Sequence, residues 1–317
     1  MSAVPNRFRV RIAGREAVAE DVVTLDLAPV GPGALPAWEA GAHIDLEVAD
    51  GTERQYSLVT TTNAGHWRVA VLREASGRGG SLAVHEALRV GDEVTVGGPR
   101  NHFGFDPQRP AVFVAGGIGI TPIRAMIAAA EAAGTPWELH YAGRSRARMP
   151  FAAELVAEHP DRVEIAVADE GTRLDVDALL ADPRDAVVYC CGPRRLMDAV
   201  EAAAAHWPTG SVRVERFEPA ADADAPGEAF EVELAVTGVT VTVPADRTVL
   251  EVAEEAGAFV LSSCREGTCG TCETPVLEGA VEHRDTVLSP AEQADDRTMM
   301  VCVSRARRGC PRLVLEL

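Results

Sequence analysis

The chain has 317 residues, 47% of them apolar, and a formal net charge of −18. The length suggests two or three domains, and the apolar share is ordinary for globular protein. The acidity excludes a nucleic-acid binder, whose phosphate partners need a basic surface.

All 30 basic side chains are Arg. The acidity suits a docking surface facing a basic patch on a partner, or simply solubility. No apolar run reaches the ~18 residues of a bilayer span. The N-terminus has no basic stretch leading into an apolar one. A cytoplasmic protein with no membrane partner is expected.

Residues 1–105 carry short period-two runs, at Phe8–Ile12, Val22–Leu27, Ile44–Val48, Tyr56–Val59, Trp67–Leu72 and Val94–Val96. Gly, Asn or Pro clusters separate most of them, which predicts an antiparallel barrel or sandwich. One helix is expected near Ser81–Leu88. Two stretches here have chemical content. In Arg54-Gln55-Tyr56-Ser57-Leu58, strand alternation puts Arg54, Tyr56 and Leu58 on one face and Gln55 and Ser57 on the other. A cation, a flat aromatic and a hydroxyl so close together suit a phosphate, a ring face and a ring heteroatom. Arg78-Gly79-Gly80-Ser81 precedes the helix, where free N–H groups and an Arg make an anion site. The plainer readings are a solvated barrel charge at Arg54 and a simple turn at Gly79-Gly80.

Residues 106–218 alternate β and α patterns, which predicts a parallel sheet with helices on both faces. Ala111–Ala115 reads as a buried parallel strand. Gly116-Gly117-Ile118-Gly119-Ile120-Thr121-Pro122 follows, then an Ala-rich helix over Ile123–Ala133. Thr121 suits the N-cap and Pro122 the first turn. A strand, a Gly-rich turn and a helix start form a pyrophosphate site, although the strict G-x-G-x-x-G pattern is absent and a tight βα turn is the alternative. Further strands are expected at Glu138–Ala142, Val163–Ala168, Ala186–Cys190 and Val212–Val214, with helices at Phe151–Glu158, Val176–Leu180 and Arg194–His206. Cys191, taken alone, reads as a small buried hydrophobe.

Residues 219–228 are rich in Ala, Asp and Pro and read as a flexible linker. Residues 229–317 resume alternation, with a helix at Thr248–Ala256 and a last strand at Leu313–Leu317. They hold 15 acidic against 8 basic residues. Within them Cys264, Cys269 and Cys272 have the spacing C-x4-C-x2-C, and Cys302 follows after 29 intervening residues. This is the ligand spacing of a plant-type 2Fe-2S cluster, whereas structural zinc usually takes two C-x2-C pairs. Three thiolates come from one tight loop and one from a distant segment, read here as a late strand. Gly267 and Gly270 let the loop curl and free backbone N–H groups to point at sulfur. Cys190, Cys191 and Cys310 remain, an odd set that does not read as a disulfide framework.

Ser262-Ser263-Cys264 through Cys272 resembles the plant-type ferredoxin loop, which implies Cys264, Cys269, Cys272 and Cys302 as ligands. Arg-x-Tyr-Ser followed by Gly-Gly-Ser resembles the flavin domain of the ferredoxin-NADP reductase superfamily. That likeness implies Arg54, Arg78, Gly79, Gly80 and Ser81 at the flavin phosphate, Tyr56 on the ring and Ser57 near its reactive nitrogen. Gly116–Pro122, Tyr141–Ser145 and Cys191-Gly192-Pro193 with Leu196-Met197 are similar to the nucleotide half. By this likeness Gly116, Gly117, Gly119, Thr121 and Pro122 hold pyrophosphate and nicotinamide. Arg144 and Ser145 lie beside the adenosine ribose, and Cys191, Gly192 and Pro193 near the nicotinamide. Phe217 is the aromatic that covers the flavin ring, or otherwise a core Phe.

The whole order resembles the phthalate dioxygenase reductase family. The resemblance implies a multidomain protein: an FMN-binding antiparallel β-barrel at 1–105, an NAD-binding α/β domain at 106–218, a linker at 219–228 and a β-grasp ferredoxin domain at 229–317. It implies a monomer that serves aromatic catabolism by passing electrons from NADH through FMN and 2Fe-2S to a terminal oxygenase of Rieske non-haem iron type. FAD for FMN, NADPH for NADH, and a haem monooxygenase as acceptor are alternatives. Arg144, Arg146 and Arg148 suit a 2′-phosphate. A redox sensor built on the same cofactors is a reading of a different class.

Overall fold

The computed structural model describes residues 7–49, 52–75 and 79–317. The chain divides into two compact units, one ending at Glu215 and the other starting at Arg216. Among the described residues no helix is long and apolar enough to cross a membrane.

The first unit opens with six antiparallel strands, β1 (Arg7–Ala19), β2 (Val22–Pro29), β3 (His43–Ala49), β4 (Thr52–Val59), β5 (Trp67–Leu72) and β6 (Glu93–Arg100). They close into a barrel of order β1-β2-β5-β4-β3-β6, so the expected choice between barrel and sandwich resolves to the barrel. Closure removes the exposed strand edges that an open sheet would leave. Alternation sends Ile12, Leu25, Leu27, Ile44, Leu46, Leu58 and Val69 inward, all fully buried. One helix, α1 (Gly80–Glu86), lies between β5 and β6.

The same unit continues into a parallel sheet of β7 (Ala111–Gly116), β8 (Trp137–Gly143), β9 (Val163–Val167), β10 (Val187–Cys191) and β11 (Val212–Glu215), in the order β11-β10-β7-β8-β9. The helices are α2 (Ile120–Ala133), α3 (Ala152–Glu158), α4 (Val176–Leu180) and α5 (Arg194–Ala203). The strand order reverses beside β7, which places the ligand crevice at the carboxyl ends of β7 and β10. Val22, Val59 and Ala70 on the outside of the barrel share one core with Phe113, Ile120, Ile123 and Tyr189 of the sheet and its helix. Burying each large apolar side chain contributes about 1.5–3 kcal/mol relative to exposure, so this core holds β4 against α2.

Helix α2 begins three residues earlier than the composition suggests. A short 3₁₀ turn over Gly117–Gly119 runs directly into it, and Gly119 takes the N-cap. Thr121, expected at the cap, lies inside the first turn, where its hydroxyl donates to the Ile118 carbonyl at 3.0 Å.

The second unit holds β12 (Phe230–Leu234), β13 (Val239–Val243), α6 (Val249–Glu255), β14 (Glu273–Glu278), β15 (Val281–Glu282), α7 (Pro290–Asp295), β16 (Thr298–Met300), β17 (Arg305–Ala306) and β18 (Arg312–Leu315). Five strands form a mixed sheet, β13-β12-β18-β14-β16, in which β12 and β18 run parallel. Thr248 caps α6 through a reciprocal pair with Glu251, which secures the helix that leads into the cysteine loop.

Residues 219–228, expected as a flexible linker, are held on this second unit. Ala223 is buried in its core. The Arg284 guanidinium donates to the Ala225 carbonyl. Arg305, 4% exposed, donates to the carbonyls of Glu228 at 3.2 Å, Pro244 at 2.7 Å and Arg247. Its guanidinium also lies over the Phe230 ring, 5.1 Å from the centroid. Composition alone does not foresee distant arginines that satisfy the carbonyls of the segment. Arg305→Leu leaves those buried acceptors unmet and is expected to destabilise this unit by about 2–3 kcal/mol. Limited proteolysis should then cut within 219–228 faster than in the wild type, and calorimetry should show the loss in stability.

Candidate functional site

Strand β4 orders the first half of the site. As alternation requires, Leu58 enters the barrel core while Gln55 bonds Asp45 across the outer face at 3.1 Å. The stem of Arg54 lies along the start of α1. A Cβ on Gly80 would stand 2.5 Å from Arg54 Cγ, so only glycine admits the arginine there. Gly79, the N-cap, has φ +83°, a left-handed conformation that glycine adopts without strain. The Ser81 hydroxyl accepts the Glu74 N–H at 3.0 Å and closes the loop onto the helix. Arg78 lies outside the described residues. Tyr56 is half-buried, and burial raises its phenol above the ordinary range. Ser57 is 5% exposed, and its hydroxyl has no hydrogen-bond partner in the protein. A small-residue cradle under an arginine, a half-buried aromatic and an orphaned hydroxyl together fit a flavin with its phosphate.

The second half is built by interlocked glycine turns after β7 and β10. A Cβ on Gly119 would lie 2.3 Å from the Cys191 carbonyl oxygen, and one on Gly116 would lie 2.6 Å from Pro193 Cδ. The turn after β10 would likewise meet Gly116 if Gly192 carried a side chain. Gly116, Gly117, Gly119, Cys191, Gly192 and Pro193 are therefore brought together. Thr121 and Pro122 are buried in the first turn of α2. The Tyr141 hydroxyl is within hydrogen-bond reach of the Gly117 and Pro150 carbonyls, at 3.0 and 3.2 Å, and fastens β8 to the turn.

Cys191 is fully buried, and burial followed by the neighbouring Glu215 raises its thiol well above the ordinary value. Beyond β8, Arg144 is exposed and Ser145 caps a short 3₁₀ turn. Arg146 forms a two-pronged pair with Glu170 at 2.6 and 2.9 Å. Arg148 pairs with Glu20 at 2.9 Å and Asp21 at 2.6 Å.

Phe217 belongs to the second unit and is 44% exposed, so it is no core residue. In that unit Cys264, Cys269, Cys272 and Cys302 converge. The Cys264 thiol interacts with those of Cys269 and Cys302, and Cys302 with Cys272. Gly267 and Gly270 have φ +70° and +72°, as the tight loop requires. Backbone N–H groups of Glu266 and Thr271 donate to the sulfurs of Cys264 and Cys269, each at 3.3 Å. Cys302 sits in a turn just after β16, not on a strand. The turn reverses the chain under the loop, which a strand position would not do. The Cys264 thiol, then burial, hold Cys269 protonated in the metal-free chain, and a bound metal releases such protons. Four converging sulfurs, of which those of Cys264 and Cys269 accept from backbone N–H groups, with Cys269, Cys272 and Cys302 buried and Cys264 half-buried, fit a 2Fe-2S group.

Two polar residues at the site carry no motif. His43 on β3 is the Cα partner of Ser57, and is 6% exposed. Glu215, at the end of β11, is the Cα partner of Cys191, and its Oε2 is sealed from solvent without a partner. Burial pushes the Glu215 carboxyl up to about 8. An acid with a raised folded pKa stabilises most fully below its unfolded value of about 4.3, and that contribution fades as pH rises through the folded value. Stability should therefore fall across that window in the wild type. Glu215→Gln should flatten the fall, as chemical denaturation at a series of pH values would record.

A family model for the 2Fe-2S iron-sulfur cluster binding domain matches residues 232–307. The chain is 44% identical to the toluene-4-sulfonate monooxygenase system reductase subunit TsaB1 of Comamonas testosteroni, over 97% of this chain and 98% of that one. The solved structure of phthalate dioxygenase reductase, 36% identical, superposes with a TM-score of 0.71 over 98% of both chains. An intact type IV self-sufficient cytochrome P450 monooxygenase, 44% identical, matches 98% of this chain with a TM-score of 0.90. The chain spans only 41% of that P450.

Proposed function

We propose a route for electrons through a chain that belongs to the phthalate dioxygenase reductase family of oxygenase reductases: NADH to FMN, FMN to the 2Fe-2S cluster, and the cluster to a terminal oxygenase. The convergence of four thiols under backbone N–H donors carries this reading. A bound flavin accepts two electrons as a hydride and releases them singly, as a 2Fe-2S group requires.

In this reading Cys264, Cys269, Cys272 and Cys302 hold the cluster. Arg54 and the turn at Gly79, Gly80 and Ser81 hold the flavin phosphate, Tyr56 faces the ring, and Ser57 stands at the reacting nitrogen. The glycine turns after β7 and β10 hold the nicotinamide nucleotide, with Cys191 beside the transferring carbon. The thiol of Cys191 is held neutral by burial, so it shapes the pocket without placing charge in it. FMN rather than FAD follows from the family resemblance, and chromatography of the released flavin decides it.

NADH is favoured over NADPH because two arginines after Gly143 already hold carboxylates. Arg146 is committed to Glu170, and Arg148 to Glu20 and Asp21. Recruiting either to a 2′-phosphate would break a paired contact. Glu170→Ala should raise kcat/KM for NADPH about tenfold and change that for NADH little, as initial rates with each nucleotide would show.

A Rieske non-haem iron oxygenase is the proposed acceptor. The likeness to a self-sufficient cytochrome P450 favours a haem monooxygenase as the second reading. Reconstitution with each class of oxygenase separates the two. For the route itself, Cys302→Ala should abolish cytochrome c reduction while sparing NADH oxidation by ferricyanide, which takes electrons from flavin. Equal loss of both in a folded variant would refute the route.

A further inference from the structure

A fully buried carboxylate stands between the two cysteine-bearing segments of the second unit. Asp285 lies between β15 and α7, and its side chain has no exposure to solvent. On one side it packs against the cysteine loop. A Cβ on Gly267, which lies between Cys264 and Cys269, would stand 3.1 Å from the Asp285 Cα and 3.3 Å from its Cβ. The neighbouring Thr286 N–H donates to the Gly267 carbonyl at 2.9 Å. On the other side Asp285 Oδ1 accepts the hydroxyl of Ser304, just beyond Cys302, at 3.3 Å. Oδ2 accepts the N–H groups of Leu288 at 2.8 Å and Val287 at 3.1 Å. The His283 ring lies beyond, with Nδ1 3.5 Å from Asp285 Oδ1 and Nε2 3.3 Å from Asp296 Oδ1.

We infer that Asp285 tunes the cluster: its fixed negative charge lowers the reduction potential there, so that each electron passes on to the acceptor instead of resting in this unit. The inference rests on the proposed assignment of the four cysteines to a 2Fe-2S cluster. Charge and hydrogen bonding around such a group set its potential over a wide range. A 2Fe-2S group held by four thiolates is already anionic, and reduction adds one more negative charge. A carboxylate in a low-dielectric interior opposes that addition far more strongly than one in water. The electron balance is one in from flavin and one out to the acceptor, twice per hydride. Asp285 takes up no proton and no electron in either step.

The surroundings of Asp285 preserve that charge. Burial opposes ionisation, yet His283 and the N–H groups of Leu288 and Val287 outweigh it and hold the carboxyl below the ordinary range. A carboxylate that accepts backbone N–H bonds favours its charged form even when buried. The arginines of this segment serve other carboxylates, Arg284 holding Glu282 at 2.7 Å and Arg307 holding Asp296 at 3.2 Å. As an anchor for the loop, an amide would meet the same N–H groups without the cost of burying a charge. The charge itself therefore calls for a function.

The test is an anaerobic redox titration of the holoprotein, with the cluster followed by electron paramagnetic resonance and visible absorbance. Asp285→Asn keeps an oxygen for the Leu288 and Val287 N–H groups and removes the charge. It should raise the midpoint potential by a tenfold change in equilibrium constant, about 59 mV for one electron. The shift should persist at high salt, which screens exposed charges far more than buried ones. Asp295→Asn, at an exposed carboxylate of α7, should shift the potential less and lose that shift at high salt. His283→Asn removes a contact to the Asp285 carboxylate and leaves its charge, so it should not raise the potential. An unchanged potential in Asp285→Asn, or an equal upward shift in His283→Asn, overturns the inference. If Asp285→Asn does not load the cluster, Asp285→Ser takes its place with the same upward shift expected. Failure of both to load overturns the charge assignment in favour of a structural anchor. A wild-type protein without an iron–sulfur signal overturns the electron route first and this inference with it, and is recognised before any variant is titrated.

Discussion

The nucleotide half of the first unit depends on backbone meeting backbone at the carboxyl edge of the parallel sheet. Gly119 lies where any side chain would enter the Cys191 carbonyl, and Gly116 and Gly192 exclude side chains from each other. This contact sets the distance between the turns after β7 and β10. It also sets the start of α2, because the chain has no room for a separate cap and runs from the 3₁₀ turn straight into the helix. The first turn of α2 then packs against the outer face of the barrel through Ile120, Ile123 and Val59. Strand β4 and the glycine turns are thus held together through one shared core.

The second unit solves a different problem. Three thiols of one tight loop and a fourth from far along the chain must be brought together. The loop meets this with geometry. Left-handed glycines bend it, N–H groups face sulfur, and Cys302 comes from a turn that the mixed sheet places beneath it. Arg284 and Arg305 bind the preceding segment to the same unit through its carbonyls. An arginine offers several donors in a rigid fork, which suits a group of converging carbonyls better than a lysine would. The cluster unit therefore carries its own lead-in.

Charge has two uses in this molecule. At the surface, carboxylates hold Arg146 and Arg148. In the interior of the first unit burial favours the neutral forms of the Cys191 thiol, the Glu215 carboxyl and the His43 imidazole. A low-dielectric interior magnifies any fixed charge, so a buried group without a partner favours its neutral form.

Much of this was legible before any coordinates. Period-two runs located all six barrel strands, because a half-buried strand must alternate. The cysteine spacing identified the cluster loop, because few chemistries need three thiols in nine residues. What the tertiary structure alone decided depends on residues far apart in sequence. His43 meets Ser57 only through strand pairing, and Arg100 joins them from a third strand. Glu215 lost its water to packing, and residues 219–228 lost their freedom to arginines many positions away. Composition and local spacing report what a segment prefers by itself. Burial, pairing across strands and the capture of carbonyls exist only once the chain has closed on itself.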